Sequence, residues 1–168
     1  MGNYATSIVY HIILAVLDEE NFFSPRERRR MTAFVFRRSC REGARPVAVM
    51  CGKDHLHLLV QGSATVSVRN FVRRAKAATS RWMNRRRGLG RPFFWQREYL
   101  AFTVAPIAVA RARAYVHAQD AIHAHRSFRE ECAWILGEGT GGNQAPAPQA
   151  SSTTAAAVPV LEPAAPLA

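Results

Sequence analysis

Apolar and polar residues alternate or cluster along this chain with two different periods. The stretch "SIVYHIILAV" (7–16) is short, β-branched and aromatic, and an acidic turn follows it. Such a run predicts a first strand. In "SPRE" (24–27), Ser24 suits an N-cap, Pro25 the first helical position and Glu27 the capping-box partner. A helix is predicted from Pro25 to about Arg41, with Met31, Phe34 and Val35 inward, ended by Gly43 and Pro46. "PVAVMC" (46–51) and "HLHLLVQ" (55–61) flank the turn "GKD" and read as a hairpin of two strands. From about Val66 to Arg86 the period returns to that of a helix. Val68, Phe71, Val72, Ala75, Thr79, Trp82 and Met83 form one stripe, and Arg69, Arg73, Lys76 and Ser80 lie on another face.

After the loop "GLGRP", "FFWQREYLAFTV" (93–104) reads as extended, with a bend at "QRE". Pro106 opens a helix expected to run to about His123, and "SFREECAWIL" (127–136) predicts a last short one. The order is strand, helix, strand, strand, helix, strand, helix. It implies an α+β fold, an antiparallel sheet with helices packed on one face, close to the ferredoxin-like arrangement.

The last thirty residues change character. From Gly139 they are rich in Ala, Pro, Ser, Thr and Gly, lack aromatic residues and carry one charge, Glu162. Such a segment buries too little apolar surface to offset its ordering entropy. One domain over residues 1–138 and a disordered Ala/Pro-rich tail over 139–168 are expected.

Charge narrows the partners. The chain of 168 residues has 23 Lys and Arg against 12 Asp and Glu, a net +11, and every Lys and Arg precedes residue 130. A domain with that field attracts polyanions and releases their counterions. The three cysteines, Cys40, Cys51 and Cys132, are odd in number and show no CxxC spacing, so neither a disulfide framework nor a zinc knuckle is indicated. No segment reaches the ~20 apolar residues of a membrane span, and no leader pattern stands at the N-terminus. A cytoplasmic protein with no membrane partner is expected.

Two constellations carry candidate chemistry. In a strand, alternate side chains share a face, so His55, His57 and Leu59 point one way and Leu56, Leu58 and Val60 the other. The leucine face suits a core. The paired imidazoles suit one metal ion, although two histidines on the polar face of a half-buried strand more often face solvent than ligate. On the helix after Pro106, Tyr115 and Gln119 are four apart and share a face. A tyrosine hydroxyl can attack phosphorus, and a glutamine amide oxygen can ligate a metal. A plain amphipathic helix accounts for the same spacing.

Taken together, these elements resemble the single-tyrosine HUH transposases of bacterial insertion sequences and the related REP-associated tyrosine transposases. His-Leu-His matches the HUH signature, and Tyr-x-x-x-Gln follows it. "DHLHLLV", "TVSVRNFVRRAKAATSRW", "FFWQREYLAFTV" and "YVHAQDAIHAHRSFREE" are each similar to a segment of that family, and the resemblance spans roughly Ile8 to Leu136. Glu98 and Leu100 stand near places where the family often has glycine, and Ile122 precedes His123 where a paired histidine is half present.

The resemblance implies an RRM-like HUH endonuclease fold and an enzyme that cleaves and rejoins single-stranded DNA beside hairpins. Tyr115 would form a 5′-phosphotyrosine link. His55, His57 and Gln119 would hold Mg²⁺ or Mn²⁺, which polarises the phosphoryl oxygens. Arg69, Arg73 and Lys76 are candidates for phosphate contacts. Mobile members of the family commonly act as homodimers, whereas host-adopted relatives can be monomers. A host-adopted, REP-type hairpin-binding protein that keeps nuclease activity is the alternative reading. Other classes fit less well. A histidine-triad hydrolase needs a third alternate histidine where Leu59 stands. A zinc deaminase needs His-x-Glu with a later Cys-x-x-Cys, and no phosphate-binding glycine loop is present.

Overall fold

The computed structural model describes residues 7–17, 22–62, 67–87 and 92–137. The proposed tail and the expected helix start at Val66 lie outside them.

Strand β1 (Val9–Ala15) leads to helix α1 (Pro25–Arg41), then strands β2 (Arg45–Cys51) and β3 (His55–Gln61), helix α2 (Val68–Arg87) and strand β4 (Leu100–Val104). A 3₁₀ turn (Pro106–Ala108) precedes helices α3 (Val109–His117), α4 (Gln119–Ile122) and α5 (Phe128–Leu136). The four strands form one sheet in the order β2-β3-β1-β4, antiparallel throughout. This is the split βαβ order of ferredoxin-like folds.

Local chemistry explains the boundaries. At the start of α1, Ser24 accepts from the Glu27 N–H at 3.3 Å, and the Glu27 carboxylate accepts from the Ser24 N–H at 2.9 Å. The capping box is complete, with Pro25 at the first helical position. α2 opens at Val68, where the Ser67 hydroxyl accepts from the Asn70 N–H. The expected stripe is realised: Phe71, Val72, Ala75, Thr79 and Met83 are buried, and Val68 and Trp82 pack partly buried against the same core. Trp82 stacks on Phe34 of α1 with ring centroids 4.7 Å apart.

The bend expected at "QRE" also appears, and it has a cause. Trp95 bridges to Val16 before β4 begins. Between them and β4, the carbonyls of Gln96, Arg97 and Glu98 turn toward one cation, Lys76 Nζ, which donates to them at 2.7, 3.0 and 2.7 Å. The Trp95 indole N–H donates to Thr79 Oγ1 at 2.7 Å and ties the same segment to α2.

The helix expected to run unbroken from Pro106 to His123 is instead a 3₁₀ turn followed by two helices that meet at Ala118. There the Ala118 N–H is shared between the carbonyls of Ala114 and Tyr115, at 3.0 and 3.1 Å, which tightens the last turn of α3.

α1 and α2 share one face of the sheet. Ile12, Leu14, Leu56, Leu58 and Val60 meet Met31, Val35, Phe71, Val72 and Met83 there, with Phe93 and Trp95. On the other face, Val116 of α3 packs against Val9, Ala48 and Leu59. The C-terminal helices therefore form a second layer over the histidine side of β3. Among the described residues, no helix is long and apolar enough to cross a membrane.

Candidate active site

The hairpin β2-β3 presents the first ligand candidates. Gly52 donates to the His55 carbonyl at 2.8 Å and closes the turn. A Cβ on Gly52 would lie 2.5 Å from His55 Cε1 and 2.7 Å from Nε2, so only glycine leaves room for that ring. His55 and His57 stand together on the face away from the leucines, with ring centroids 4.9 Å apart, as strand alternation requires. Both are buried, His55 at 1% exposure and His57 at 0%.

β1 and α5 complete the surroundings. His11 of β1 lies opposite Leu59 in the register, and its Nε2 is 2.9 Å from His57 Nδ1. Asp54 Oδ1 is 2.6 Å from His55 Nδ1. Phe128, at the start of α5, stacks flat on His55 with centroids 4.4 Å apart and planes 8° off parallel. Ser127 and Glu130 form a second capping box that sets the start of that helix, and Gly137 ends it with a left-handed φ of 74°.

α5 also delivers Glu131, fully buried, into the centre of the cluster. Its Oε1 accepts from the Tyr115 hydroxyl and, at 3.0 Å, from Gln119 Nε2. Its Oε2 lies 3.0 Å from His123 Nε2 and 3.5 Å from His57 Nε2. The break at Ala118 thus leaves Tyr115 and Gln119 on one carboxylate. α4 is anchored from outside by an ion pair between Asp120 and Arg28 of α1, and Arg28 Nε also donates to the Cys51 carbonyl at 2.9 Å.

Burial sets the protonation states. It lowers His57 from its ordinary 6.5 to about 4, against the opposing pull of the Glu131 carboxylate. It lowers His11 to about 3, helped by the neighbouring His57. Both imidazoles are neutral near pH 7 and therefore able to donate a lone pair. Burial, reinforced by the Glu131 carboxylate, pushes the Tyr115 phenol well above its usual range. Burial also pushes the Glu131 carboxyl upward, but contacts from His123 and His57 outweigh it and hold that carboxyl well below the carboxylate range.

The structure thus brings His55, His57, Tyr115 and Gln119 together and leaves Arg69, Arg73 and Lys76 apart. Arg69 and Arg73 are exposed on α2, across the sheet, and Lys76 is held by the three loop carbonyls. Reading the sequence by local pattern missed the parts played by His11, Asp54 and Glu131. For Glu131 a signal existed. Phe128, Cys132 and Ile135 make the apolar face of α5 by helical spacing, and Glu131 is an acid on that same face. His11, a histidine inside an apolar strand, is a weaker signal of the same kind.

Four residues, His55, His57, His123 and Glu131, each place one potential ligand atom within 4.8 Å of the others. His57 Nε2, Gln119 Oε1 and Glu131 Oε2 are buried without a hydrogen-bond partner of good geometry. A ring nitrogen and a carboxylate oxygen orphaned within that cluster fit a bound cation.

Residues 4–119 match the family model described as "Transposase IS200 like". A solved structure of a candidate transposase from Deinococcus radiodurans R1 is 22% identical; the match covers 71% of this chain and 96% of that one, with a TM-score of 0.57. A REP-associated tyrosine transposase solved bound to a REP hairpin is 12% identical, with 73% and 74% covered and a TM-score of 0.54. At these identities the two structures speak for the fold. No curated protein matches the chain. With its matched family model spanning most of the folded residues, on a fold shared with the two solved structures, the chain belongs to the IS200-like family of single-tyrosine transposases.

Proposed function

We propose that this transposase cleaves and rejoins single-stranded DNA beside a hairpin, with Tyr115 as nucleophile and His55, His57 and Gln119 among the ligands of Mg²⁺ or Mn²⁺. The observation that carries the reading is the meeting of Tyr115 with the histidine pair: its ring centroid is 6.1 Å from that of His57, within one chain.

In this reading the phenolic oxygen of Tyr115 bonds to the scissile phosphorus, and the bond from phosphorus to the 3′ oxygen breaks. The DNA 5′ phosphate stays on the tyrosine and a 3′ hydroxyl leaves. Glu131 Oε1 is the acceptor already in contact with the phenolic proton. A later 3′ hydroxyl reverses the exchange, so the bond energy is conserved and no nucleotide triphosphate is required. A divalent ion bound at the cluster would withdraw charge from the phosphoryl oxygens as it develops. The imidazole of His55, the neutral imidazole of His57 and the buried Gln119 Oε1 supply donors for it.

The partner is single-stranded DNA with a hairpin. The relative bound to a REP hairpin supports it, as does the basic charge. Arg69 and Arg73 are the proposed phosphate contacts. Lys76 contributes to them indirectly, by holding the 96–98 bend. Because Tyr115 sits beside the histidines of its own chain, catalysis within one chain is favoured over a homodimer that exchanges tyrosine helices. A cytoplasmic location completes the proposal, supported by the free Cys40, Cys51 and Cys132.

Tyr115→Phe removes only the nucleophilic oxygen. It is expected to abolish covalent adducts on a labelled single-stranded hairpin oligonucleotide while hairpin binding stays near wild type. Adducts at the wild-type level would place the nucleophile elsewhere and overturn the reading.

A further inference from the structure

The second nitrogen of each clustered histidine decides what the first can do. His55 Nδ1 faces the Asp54 carboxylate at 2.6 Å, and His123 Nδ1 faces the Arg126 carbonyl at 2.8 Å. Both partners only accept, so each Nδ1–H donates outward and each Nε2 faces the cluster. Those two Nε2 atoms are 3.1 Å apart. His57 Nδ1 is taken by His11 at 2.9 Å, which leaves its Nε2 directed at Glu131 Oε2. Three ring nitrogens and one carboxylate oxygen therefore face one another, all within 4.8 Å.

The spacing suits one ion. Ligands ~2.1 Å from a common centre stand roughly 3.4 Å apart in tetrahedral geometry. Three of the six separations, 3.0 Å (His123 to Glu131), 3.1 Å (His123 to His55) and 3.5 Å (His57 to Glu131), lie near that value, and all four atoms lie within 4.8 Å of one another. Each Nδ1 partner acts as the outer support that fixes ring orientation in metal sites.

We infer that Glu131 and His123 join His55 and His57 as ligands, so that the site offers three imidazoles and a carboxylate beside Gln119 and takes a first-row transition ion in preference to Mg²⁺. The inference deepens the proposed nuclease reading and rests on it for the ion's role, though not for its binding. Glu131 supplies the anionic donor, and Gln119, whose Nε2 donates to Glu131 Oε1 at 3.0 Å, orients it. Mg²⁺ prefers oxygen donors and keeps its waters, whereas imidazole suits Fe²⁺, Ni²⁺, Cu²⁺ and Zn²⁺; Mn²⁺, the weakest binder of the first-row series, makes the most stringent probe of the preference. A DNA phosphate oxygen can occupy a further position on such an ion. Glu131 also joins the metal centre to the nucleophile, since Oε2 faces the imidazoles while Oε1 holds the Tyr115 hydroxyl.

The test is Mn²⁺ binding to the full chain without DNA, read from the electron paramagnetic resonance signal of free Mn²⁺ and repeated with Mg²⁺ as competitor. Wild type is expected to bind one Mn²⁺ per chain, with Mg²⁺ at least ~10-fold weaker. Glu131→Gln keeps the shape and removes the charge. It and His123→Asn are each expected to weaken Mn²⁺ binding by at least ~10-fold, the lower end of losses seen even for outer-shell changes. Wild-type Mn²⁺ affinity in Glu131→Gln, or equal affinity for Mg²⁺ and Mn²⁺, overturns the inference. If thermal unfolding shows that Glu131→Gln does not fold, His123→Asn decides, and its unchanged affinity also overturns the inference. Adducts that depend on Tyr115 together with an indifferent Glu131→Gln would sink this inference alone. Weakened Mn²⁺ binding with adducts persisting in Tyr115→Phe would sink the nuclease assignment alone.

Discussion

The two faces of β3 differ in almost everything but their backbone. One face sends Leu56, Leu58 and Val60 into an apolar core closed by α1, α2, Phe93 and Trp95. The other sends His55 and His57, equally buried, among His11, Gln119, Tyr115 and Glu131. The stability of the apolar face comes from area removed from water and close packing. The polar face is held by hydrogen bonds and leaves His57 Nε2, Gln119 Oε1 and Glu131 Oε2 without partners. Orphaned buried atoms cost stability unless something fills the gap. The comparison teaches that one strand can be the floor of the core and the floor of the site. The first face stabilises the fold against the cost of the second.

The largest effect that separates the faces is a cavity on the apolar one. Leu58→Ala is expected to destabilise the protein by ~2–5 kcal/mol in urea unfolding. At temperatures where the variant stays folded, its adduct yield should match wild type. A loss below about 1 kcal/mol would show that α1 and α2 do not close on this residue as described.

Acid should act on the other face. His57 and His11 have pKa values lowered from 6.5 to about 4 and about 3 by burial. The unfolded chain then binds more protons than the folded one below pH 6.5, so stability rises with pH across that window. For the metal-free protein, the melting temperature is expected to fall progressively as pH drops from about 6.5 to about 4, and the fall should flatten in His57→Gln. Glu131, whose carboxyl is held low, adds its own loss only at still lower pH. A melting temperature flat between pH 7 and 4.5 would contradict the buried neutral histidines.

The smallest effect concerns binding alone. Arg69 and Arg73 lie on α2, on the core side of the sheet and away from the tyrosine. Replacing either with Ala should reduce the log–log salt slope of hairpin binding by roughly 0.7, one phosphate contact on a single strand. Adduct formation at saturating DNA should not change. An unaltered slope in both variants would remove this helix from the DNA path.

Much of this arrangement was legible in the sequence because short-range chemistry wrote it. The alternation of "HLHLLVQ" separates leucines from histidines by strand geometry alone, and the Ser24–Glu27 box starts α1 where it should. The stripe of α2 needs only its period, and the four-residue step from Tyr115 to Gln119 keeps both on one side even across the break at Ala118. The bend at Gln96–Glu98 was visible as a pattern, but not its cause, because Lys76 looks like any solvated lysine until the loop folds back on it.

Tertiary structure decided the rest. His123 meets His55 across 68 positions of sequence and His11 meets His57 across 46, distances over which periodicity carries no information. The first depends on α5 and the turn before it folding over β3, the second on the register between β1 and β3. That α3, α4 and α5 cover the histidine face, while α1 and α2 cover the leucine face, follows from which surfaces remain to be buried once the sheet has formed. Glu131 shows the physical reason most plainly. In the sequence it is an acid on the apolar side of a short helix, and it becomes the centre of the site only because three imidazoles, an amide and a phenol from other elements are packed around it.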